Sequence, residues 1–395
     1  MKTPIRILAL SPIPEEGAGA RFRLYQYRPA LEQEGIHLTV QPFFTEEFFR
    51  IVYQEGRNVQ KTKLFIARTL ARLKVLVQRT QYDMFFVYRE AFPIGPPILE
   101  FLFSKSKGRA LIYDFDDAVF LPNSSDANQL IGVLKYPQKT SQIIRMSTHI
   151  ITGNVYLAEY ARKYNSAVSV IATCVDTARF IPRPSGEETK PGAVLRVGWI
   201  GSHSTVKYLQ SILPVLQQVA RRRAFSLYVV GCPTSLETEG LSIIQAPWVL
   251  AREVSDFQRC DVGVYPLWDD DWSRGKCGFK AIQFMACGVP VVASPVGVTK
   301  DIIQDGVNGF LATTEREWGE KLRLLLSDAT LRQRLGEAGR QTVEARYSLA
   351  VQTPKLIATL QQAVERARGM ASDGDSSDEA AIEEHQILMG PTSHR

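Results

Sequence analysis

The sequence predicts an α/β protein with two doubly wound domains, each a parallel sheet covered by helices on both faces. Three observations lead to this class. Short apolar runs alternate with helical patterns over the first 180 residues. A polar segment with three prolines follows at residues 181–192, and the alternation then restarts. A chain of 395 residues is also long enough to give each domain its own core.

The first domain is predicted to cover residues 1–180. Its strands are the apolar runs Ile5–Ser11, His37–Phe43, Met84–Tyr88, Leu111–Phe115, His149–Thr152 and Val168–Ala172. Helical spacing lies between them at Ala20–Glu34, at Arg57–Arg79, from about Pro97, and at Asn128–Ser147. The first apolar run ends at Ser11-Pro12, which favours a strand over the longer apolar segment of a signal peptide.

After the linker at 181–192, the second domain is predicted to cover residues 193–344. Its strands are Val194–Ile200, Phe225–Val230, Ser242–Gln245, Val262–Tyr265 and Pro290–Ala293. Its helices begin near Val206, Glu253 and Phe279. A helix at 345–366, interrupted at Pro354, is predicted to pack back toward the first domain. The acidic, polar tail at 367–395 is predicted to be disordered.

Composition narrows the class of protein further. Hydrophobic residues make up 45% and charged residues 22%, and no apolar run reaches the length of a membrane span. The five cysteines are scattered and odd in number, which is typical of a reduced cytoplasmic protein rather than of a disulfide framework or a zinc site.

Positive charge is concentrated in one predicted helix. Arg57–Arg79 holds seven basic residues and no acidic one, and Ile66, Leu70, Leu73 and Val77 form a stripe along it. Such a helix either packs on its own sheet or lies on an anionic membrane surface. We therefore expect a cytoplasmic protein. In the second of these two interpretations, it also makes peripheral contact with the inner face of the membrane. Nucleic acid is not an expected partner, because no aromatic residues are interleaved with the charges.

The segment from Gly275 to Gly297 carries the strongest chemical signal. It is a glycine-containing loop, a helix from Phe279, a buried strand and a second glycine turn. A helix N-terminus offers free N–H groups and a positive dipole end, so Gly278 with Lys276 and Lys280 makes a place for a diphosphate. Gln283, further along the helix, can bond ribose hydroxyls.

This segment resembles the signature of retaining glycosyltransferase family 4, also called group 1, within the GT-B superfamily. The family's Met-Ala-x-Gly-x-Pro-Val-Val run is present at residues 285–292, and Asp305-Gly306-Val307-Asn308-Gly309 follows as in the family. The resemblance implies the GT-B fold, with two Rossmann-like domains facing across a cleft. The family's paired glutamates are replaced by Gly275 and Gln283, and the nearest substitutes for the first are Asp269, Asp270 and Asp271.

A second resemblance opens the second domain. Val197–Lys207 is similar to the family element in which an Arg and a Lys bind the donor diphosphate; Lys207 matches the Lys, and Ser202 stands in place of the Arg. Gly201, Ser202, His203 and Thr205 are therefore predicted donor contacts, with helix capping as the alternative for Thr205. Trp248 lies where the family contacts the nucleotide base, with a place in the core as the alternative, and Phe279 joins the predicted donor-binding set.

The loop after the first strand contains Gly17 and Gly19. Backbone N–H groups approach an anion closely where side chains are missing, and the family has a donor-binding loop at this place. A third glycine is absent, since residue 22 is Phe22, which argues against a nicotinamide enzyme. Arg21 and Arg23 are predicted either to reach the donor or to be solvated charges on the helix.

Acidic residues cluster after Leu111–Phe115, at Asp114, Asp116 and Asp117. At the end of a strand facing the cleft, such groups can orient an acceptor hydroxyl or stabilise positive charge on the sugar. Asp116 and Asp117, with Lys207 and Lys276, are the predicted catalytic residues. A metal site or a phosphatase nucleophile at Asp114 and Asp116, or simple helix capping, are the alternatives.

The predicted function is transfer of a sugar from a nucleoside diphosphate sugar to a hydroxyl of a glycan or lipid-linked glycan. By resemblance the reaction retains configuration and needs neither a metal nor another cofactor. Two alternatives stay open: a sugar-nucleotide-binding scaffold without activity, suggested by Gly275 and Gln283, and a metal-dependent transferase or phosphatase that uses Asp114 and Asp116.

Overall fold

The computed structural model describes residues 4–52, 54, 56–121, 136, 138–184, 193–232, 234–236 and 238–388, with side chains described up to residue 369. The first half of the chain forms a six-stranded parallel sheet in the order β2-β1-β3-β4-β5-β6. Its strands are β1 (Ile5–Ser11), β2 (Ile36–Pro42), β3 (Met84–Tyr88), β4 (Ala110–Phe115), β5 (His149–Thr152) and β6 (Val168–Val170). β3 and β4 are buried at every position, as their continuous apolar runs predict for strands covered on both faces.

The helices of this half are α1 (Ala18–Arg23), α2 (Arg28–Gln33), α3 (Glu46–Val52), α4 (Asn58–Gln78), α5 (Ile98–Ser104), α6 (Lys139–Met146) and α7 (Val155–Arg162). The predicted helix Ala20–Glu34 is split by a 3-10 turn at Tyr25–Tyr27, because Pro29 has no N–H with which to continue the preceding turn. Of the predicted helix Asn128–Ser147, residues 128–135 and 137 lie outside the described residues.

The second half forms another six-stranded parallel sheet, in the order β12-β11-β10-β7-β8-β9. Its strands are β7 (Leu195–Ile200), β8 (Phe225–Val230), β9 (Ser242–Ala246), β10 (Val262–Tyr265), β11 (Val291–Ala293) and β12 (Phe310–Leu311). Its helices are α8 (Val206–Ala220), α9 (Glu253–Gln258), α10 (Asp271–Arg274), α11 (Phe279–Ala286), α12 (Thr299–Ile302), α13 (Glu315–Ser327) and α14 (Ala329–Arg346). The predicted doubly wound pattern is confirmed in both halves.

The last helix, α15 (Leu349–Leu388), corrects one sequence prediction. The interruption lies at Tyr347–Ser348 and not at Pro354, because Tyr347 and Leu349 exchange backbone hydrogen bonds with Val175 instead of continuing α14. The helix extends past residue 366 to Leu388, into the segment for which we predict disorder. Residues 389–395 of that segment lie outside the described part of the chain.

The first half of α15 packs on the first sheet, although the second sheet directly precedes it in sequence. Its residues Leu356, Leu360, Ala363 and Val364 are buried in the core of the first sheet, beside strands β1 and β4. All five cysteines are free thiols. Among the described helices, none combines the length and the apolar composition that crossing a bilayer requires.

Candidate functional site

Each sheet has one point where the order of its strands reverses. In the first sheet β1 and β3 are neighbours although β2 lies between them in sequence, and in the second sheet β7 and β10 stand in the same relation. At such a switch point the loops after the two strands turn to opposite faces and leave a crevice where α/β proteins bind ligands. The crevices follow Ser11 and Tyr88 in one sheet and Ile200 and Tyr265 in the other, which is where the predicted site residues lie.

The loop before α11 brings the two crevices together. The Asn154 side-chain amide donates hydrogen bonds to the carbonyl oxygens of Gly275 at 2.9 Å and Lys276 at 3.2 Å. The Cys277 thiol donates to the carbonyl oxygen of Asp116 at 3.1 Å. Burial raises the pKa of this thiol to about 12, so it stays protonated and able to donate. The loop that carries Lys276 is thereby held against the acidic segment of the first half.

Gly275 is required by this contact. A Cβ atom at Gly275 would lie 2.7 Å from the Ala118 Cβ and 3.0 Å from the Ala118 nitrogen, closer than packed atoms approach. The position that holds a glutamate in the family is therefore filled here by the neighbouring half of the molecule.

The suggested substitutes for that glutamate are engaged elsewhere. Asp270 accepts a hydrogen bond from the Ser273 N–H at 2.7 Å and caps α10. Asp269 and Asp271 pair with Arg274 at the exposed surface, at 2.8 Å and 3.2 Å. In this arrangement all three aspartates are therefore held by partners within their own segment.

Lys207, in the first turn of α8, and Lys276, in the loop before α11, lie on adjoining segments. The Lys207 ammonium is 5.1 Å from the centre of the Trp268 ring, and Tyr208 packs edge-on against the same ring. The Tyr208 hydroxyl also lies 3.0 Å from the hydroxyl of Ser273, in the helix that ends just before the loop of Lys276. The first turn of α8 and the loop before α11 therefore place two cations at the carboxyl ends of β7 and β10.

Asp116 and Asp117 face these cations from the first sheet. Asp116 accepts hydrogen bonds from the Tyr88 hydroxyl at 2.8 Å and from the Arg89 guanidinium at 2.7 Å. Arg89 also bonds Asp117 at 2.5 Å. Burial alone would raise the pKa of Asp116, but the positive charges of Arg89 and Arg23, together with the hydrogen bonds from Arg89 and Tyr88, outweigh burial and lower the pKa. Asp116 is therefore held as a carboxylate.

The negative charge of Asp117 affects the pKa values of two tyrosines in the second half. Burial raises the pKa of Tyr265, at the end of β10, and the Asp117 carboxylate raises it further. The pKa of Tyr208 is raised by burial and, to a lesser extent, by the same carboxylate. Asp117 therefore lies near the end of β10 and the first turn of α8.

Asp114 has a different environment from its two neighbours. It is fully buried, and the Arg23 guanidinium bonds both of its carboxylate oxygens, one at 2.9 Å. Its predicted alternative as a metal ligand or nucleophile requires an accessible carboxylate, which this pairing removes. Among the described residues, no group of three or more His, Cys, Asp or Glu side chains is arranged to hold a metal ion.

Arg21 lies between the two halves. Its guanidinium donates to Glu253 of α9 at 2.8 Å and to the carbonyl oxygens of Glu15 and Glu16, and both members of the ion pair are buried. The Trp248 ring centre lies 5.4 Å from this guanidinium. Arg21 and Arg23 are thus neither solvated nor open in the cleft, which corrects both sequence interpretations of this pair.

Comparison with known proteins gives a family match for part of the chain. Residues 194–328 match the family model described as "Glycosyl transferases group 1". This matched part of the chain is thus similar to a group 1 glycosyltransferase domain, and we refer to it as the group 1 domain. A D-inositol 3-phosphate glycosyltransferase from Stackebrandtia nassauensis is 32% identical over 112 residues, which are 28% of this chain and 24% of the relative. The aligned stretch thus spans about a quarter of that relative's length.

Solved structures extend the likeness to the whole fold. A sucrose-phosphate synthase from Thermosynechococcus elongatus superposes with a TM-score of 0.65 at 15% identity, covering 91% of this chain and 99% of that one. HepE from Anabaena, solved with UDP and glucose, gives 0.60 at 16% identity, covering 91% and 100%. The chain has the GT-B glycosyltransferase fold that the resemblance implied.

In the group 1 domain, α11 places its predicted donor residues differently from one another. Gly278 has a left-handed φ of 64° and begins the helix, which leaves the helix N-terminus beside Lys276. Phe279 packs on Phe22 of the first half, with ring centres 4.4 Å apart. Gln283 is fully buried; its side-chain oxygen accepts from the Lys280 ammonium at 2.8 Å. Within the described residues, its Nε2 has no hydrogen-bond acceptor.

The glycines predicted to approach the donor also have packing roles. A Cβ at Gly19 would lie 2.1 Å from the Tyr88 hydroxyl, and one at Gly17 would lie 2.8 Å from the Ile13 side chain. A Cβ at Gly201 would meet Trp199 at 2.4 Å. Close packing of α1 and of the turn after β7 is therefore sufficient to explain these glycines.

The turn after β7 is otherwise open to solvent. Ser202 and His203 are exposed, and the Thr205 hydroxyl accepts a hydrogen bond from the Ser202 N–H at 2.9 Å. Thr205 therefore closes the turn rather than capping α8. Sequence reasoning missed Tyr88 and Arg89, although both stand where β3 ends at the switch point, the position that marks ligand-facing residues.

Proposed function

We propose that this chain transfers a glycosyl group from a nucleoside diphosphate sugar to an acceptor hydroxyl, with retention of configuration and without a metal. The observation that carries the proposal is the contact of the Gly275–Gly278 loop with residues 116–118 and Asn154. It sets the cationic loops of the group 1 domain opposite the carboxylates of the first half, across one cleft.

The cationic side suits the leaving group. When the bond to the sugar breaks, negative charge develops on the diphosphate, and preorganised cations and helix N–H groups stabilise that charge. Lys207, Lys276 and the N-terminus of α11 at Gly278 supply such groups from adjoining segments. In this proposal they lower the barrier by stabilising the departing diphosphate.

The acidic side suits the acceptor and the sugar. Asp116 is fixed by Tyr88 and Arg89, so it is a rigid carboxylate, whereas Asp117 is more exposed and faces the group 1 domain. A carboxylate there can accept a hydrogen bond from the attacking hydroxyl and stabilise the positive charge that builds on the sugar ring. The acceptor is a glycan or lipid-linked glycan in this proposal.

Metal independence is supported by the state of the carboxylates. Asp114 is bonded to Arg23 and Asp116 to Arg89, so a divalent cation would have to displace an arginine from a buried ion pair. The cations that neutralise the diphosphate are then lysines of the protein itself.

The structural neighbours suggest which donor sugars to test first. HepE was solved with UDP and glucose, so uridine diphosphate sugars are the first donors to test. Proton NMR of the product then shows whether the new bond has the anomeric configuration of the donor, and a parallel reaction in EDTA tests the need for a metal. An inverted product or full loss of activity in EDTA would contradict the proposal.

A second candidate function, a sugar-nucleotide-binding scaffold, is favoured by Gly275 and Gln283. Neither presents a carboxylate to the donor, and the Gln283 side chain is buried. Nucleotide binding without transfer and without donor hydrolysis, over a panel of donors and acceptors, would support the scaffold instead.

A further inference from the structure

Helix α4 is turned opposite to the usual orientation of an amphipathic helix. Its arginines face the protein: the Arg72 guanidinium is buried and donates to the carbonyl oxygens of Ser11 and Gln41 at 2.8 Å and 2.7 Å. Arg68 donates to the carbonyl oxygens of Phe43 and Pro42. These bonds fix the rotation of α4 about its axis.

The apolar stripe of α4 consequently faces outward. Leu70 is 61% exposed and Val77 is 82% exposed. The full set of exposed apolar side chains on this helix is Val59, Ile66, Leu70, Leu73 and Val77. From Ile66 onward they recur every three or four residues, and Val59 lies two helical turns before Ile66, so they fall on one face of the helix, which we call the α4 face. The sequence interpretation in which this stripe packs on its own sheet was wrong.

Cations border the α4 face. Lys63 and Lys74 are exposed and fall at the same helical spacing as the apolar residues, and Arg57 and Arg79 are exposed beside the two ends of the helix. No acidic residue occurs between Arg57 and Arg79. The face is therefore apolar along its centre and positive at its margins over 21 residues, a length of about 31 Å.

The position of α4 relates this face to the cleft. Arg72 bonds the last residue of β1, and Arg68 bonds the end of β2, so the middle of α4 lies at the carboxyl ends of the strands. The ten helical residues before Arg68 continue α4 by about 15 Å beyond this contact. Phe65 on the inner side packs on Phe43 and Phe92 and anchors this projection.

We propose that the α4 face docks this protein on an anionic lipid bilayer. Leucine, isoleucine and valine side chains of this face would enter the boundary between head groups and acyl chains, while Lys63, Lys74, Arg57 and Arg79 contact lipid phosphates. The proposal concerns a surface outside the transfer site and does not depend on the proposed reaction.

Charge distinguishes a bilayer from a second copy of the chain as the occupant. A symmetric dimer would place the same face on both subunits, so the lysines of the two copies would meet across an apolar contact. No acidic side chain of α4 is there to pair with them. An anionic lipid surface supplies both the apolar phase and the opposite charge.

Sedimentation with sucrose-loaded vesicles tests the proposal on the full-length protein without any nucleotide. We expect binding to vesicles of phosphatidylglycerol and phosphatidylcholine, and weak binding to phosphatidylcholine alone. The double variant Leu70→Glu/Val77→Glu should lose at least roughly tenfold in partition coefficient. Lys63→Ala/Lys74→Ala should lose roughly tenfold or more on anionic vesicles and little on neutral ones.

Leu324→Glu is the matched control, because Leu324 is 49% exposed on another surface helix, α13. It should bind vesicles as the wild type does, and circular dichroism should show that all variants are folded. Wild-type protein that ignores anionic vesicles would overturn the proposal, as would equal losses in Leu324→Glu and in the α4 variants. Analytical ultracentrifugation tests the alternative of a second copy. A wild-type dimer that is lost in Leu70→Glu/Val77→Glu, together with no vesicle binding, would assign the α4 face to a second copy instead.

Discussion

The guanidinium of Arg21 and the carboxylate of Glu253 form a buried ion pair with an N–O distance of 2.8 Å. The two residues lie 232 positions apart, in α1 of the first half and α9 of the group 1 domain. Arg179 pairs with the second carboxylate oxygen of Glu253 at 3.0 Å. This pairing, with the Gly275–Ala118 contact, holds the two halves in the arrangement that brings the lysines and the carboxylates to one cleft.

Glu253→Ala is expected to destabilise the protein strongly, because it leaves the Arg21 guanidinium buried without its counter-charge. Loss of one partner of a buried pair costs about 3–5 kcal/mol of unfolding free energy. Glu320→Ala is the control, since Glu320 pairs with Arg316 at an exposed position, and it should cost less than about 1 kcal/mol. Calorimetry of both variants measures the difference. Equal effects of the two substitutions would mean that the Arg21–Glu253 pair does not join the halves.

Gly275→Ala is expected to push the donor loop away from Ala118. The added methyl group would lie 2.7 Å from the Ala118 Cβ, and such overpacking costs about 1–3 kcal/mol. Ala118→Gly in the same chain should restore part of the loss in melting temperature. Gly319→Ala is the control, because its nearest neighbouring atom would be 3.7 Å away. A neutral Gly275→Ala would contradict the contact.

The acid side of the pH–rate profile is expected to depend on Arg89. The positive charge of Arg89 lowers the pKa of Asp116 against the effect of burial, so wild-type Asp116 stays ionised into acidic solution. In Arg89→Met the effect of burial remains and the pKa rises. The rate of sugar transfer should therefore begin to fall at a higher pH than in the wild type. An unchanged acid limb would show that Asp116 is not needed as a carboxylate.

Lys280 is expected to make stability rise with pH in alkaline solution. Burial lowers the pKa of Lys280 to about 8, from an ordinary value of 10.5. Between these values the unfolded chain binds the proton that the folded protein has released, so raising the pH favours the folded state. Lys280→Met should lack this increment in melting temperature between about pH 8 and pH 10, whereas Lys355→Met, at an exposed position of α15, should follow the wild type. Identical pH profiles for wild type and Lys280→Met would contradict the burial of this lysine.

Local pattern was sufficient for the fold. Strands such as Met84–Tyr88 and Val262–Tyr265 are short apolar runs between breakers, and the structure has them with the same bounds. The motif of the group 1 domain likewise depends on a glycine turn and the helix that follows it. As predicted, α11 begins at Phe279, directly after Gly278. These features depend on neighbours within a few residues.

The contacts between distant segments could not be predicted from the sequence. Periodicity shows that Leu70 and Arg72 lie on different faces of α4, but not which face meets the sheet; the carbonyl oxygens of Ser11 and Gln41 decide that. Gly275 looked like the loss of a carboxylate, whereas the close approach of Ala118 is its physical reason. Sequence separation hides such pairs, because each residue alone is compatible with several partners.

Release of nucleoside diphosphate and transfer of labelled sugar from a panel of uridine diphosphate sugars is the most direct test of the proposed reaction. The wild type should transfer from at least one donor. Lys207→Ala and Lys276→Ala should each lower the rate roughly 100-fold, because each removes a cation that stabilises the departing diphosphate. Lys300→Ala, an exposed lysine of α12, should keep the wild-type rate. Full activity in both Lys207→Ala and Lys276→Ala, or nucleotide binding by the wild type with no transfer from any donor, would contradict the account.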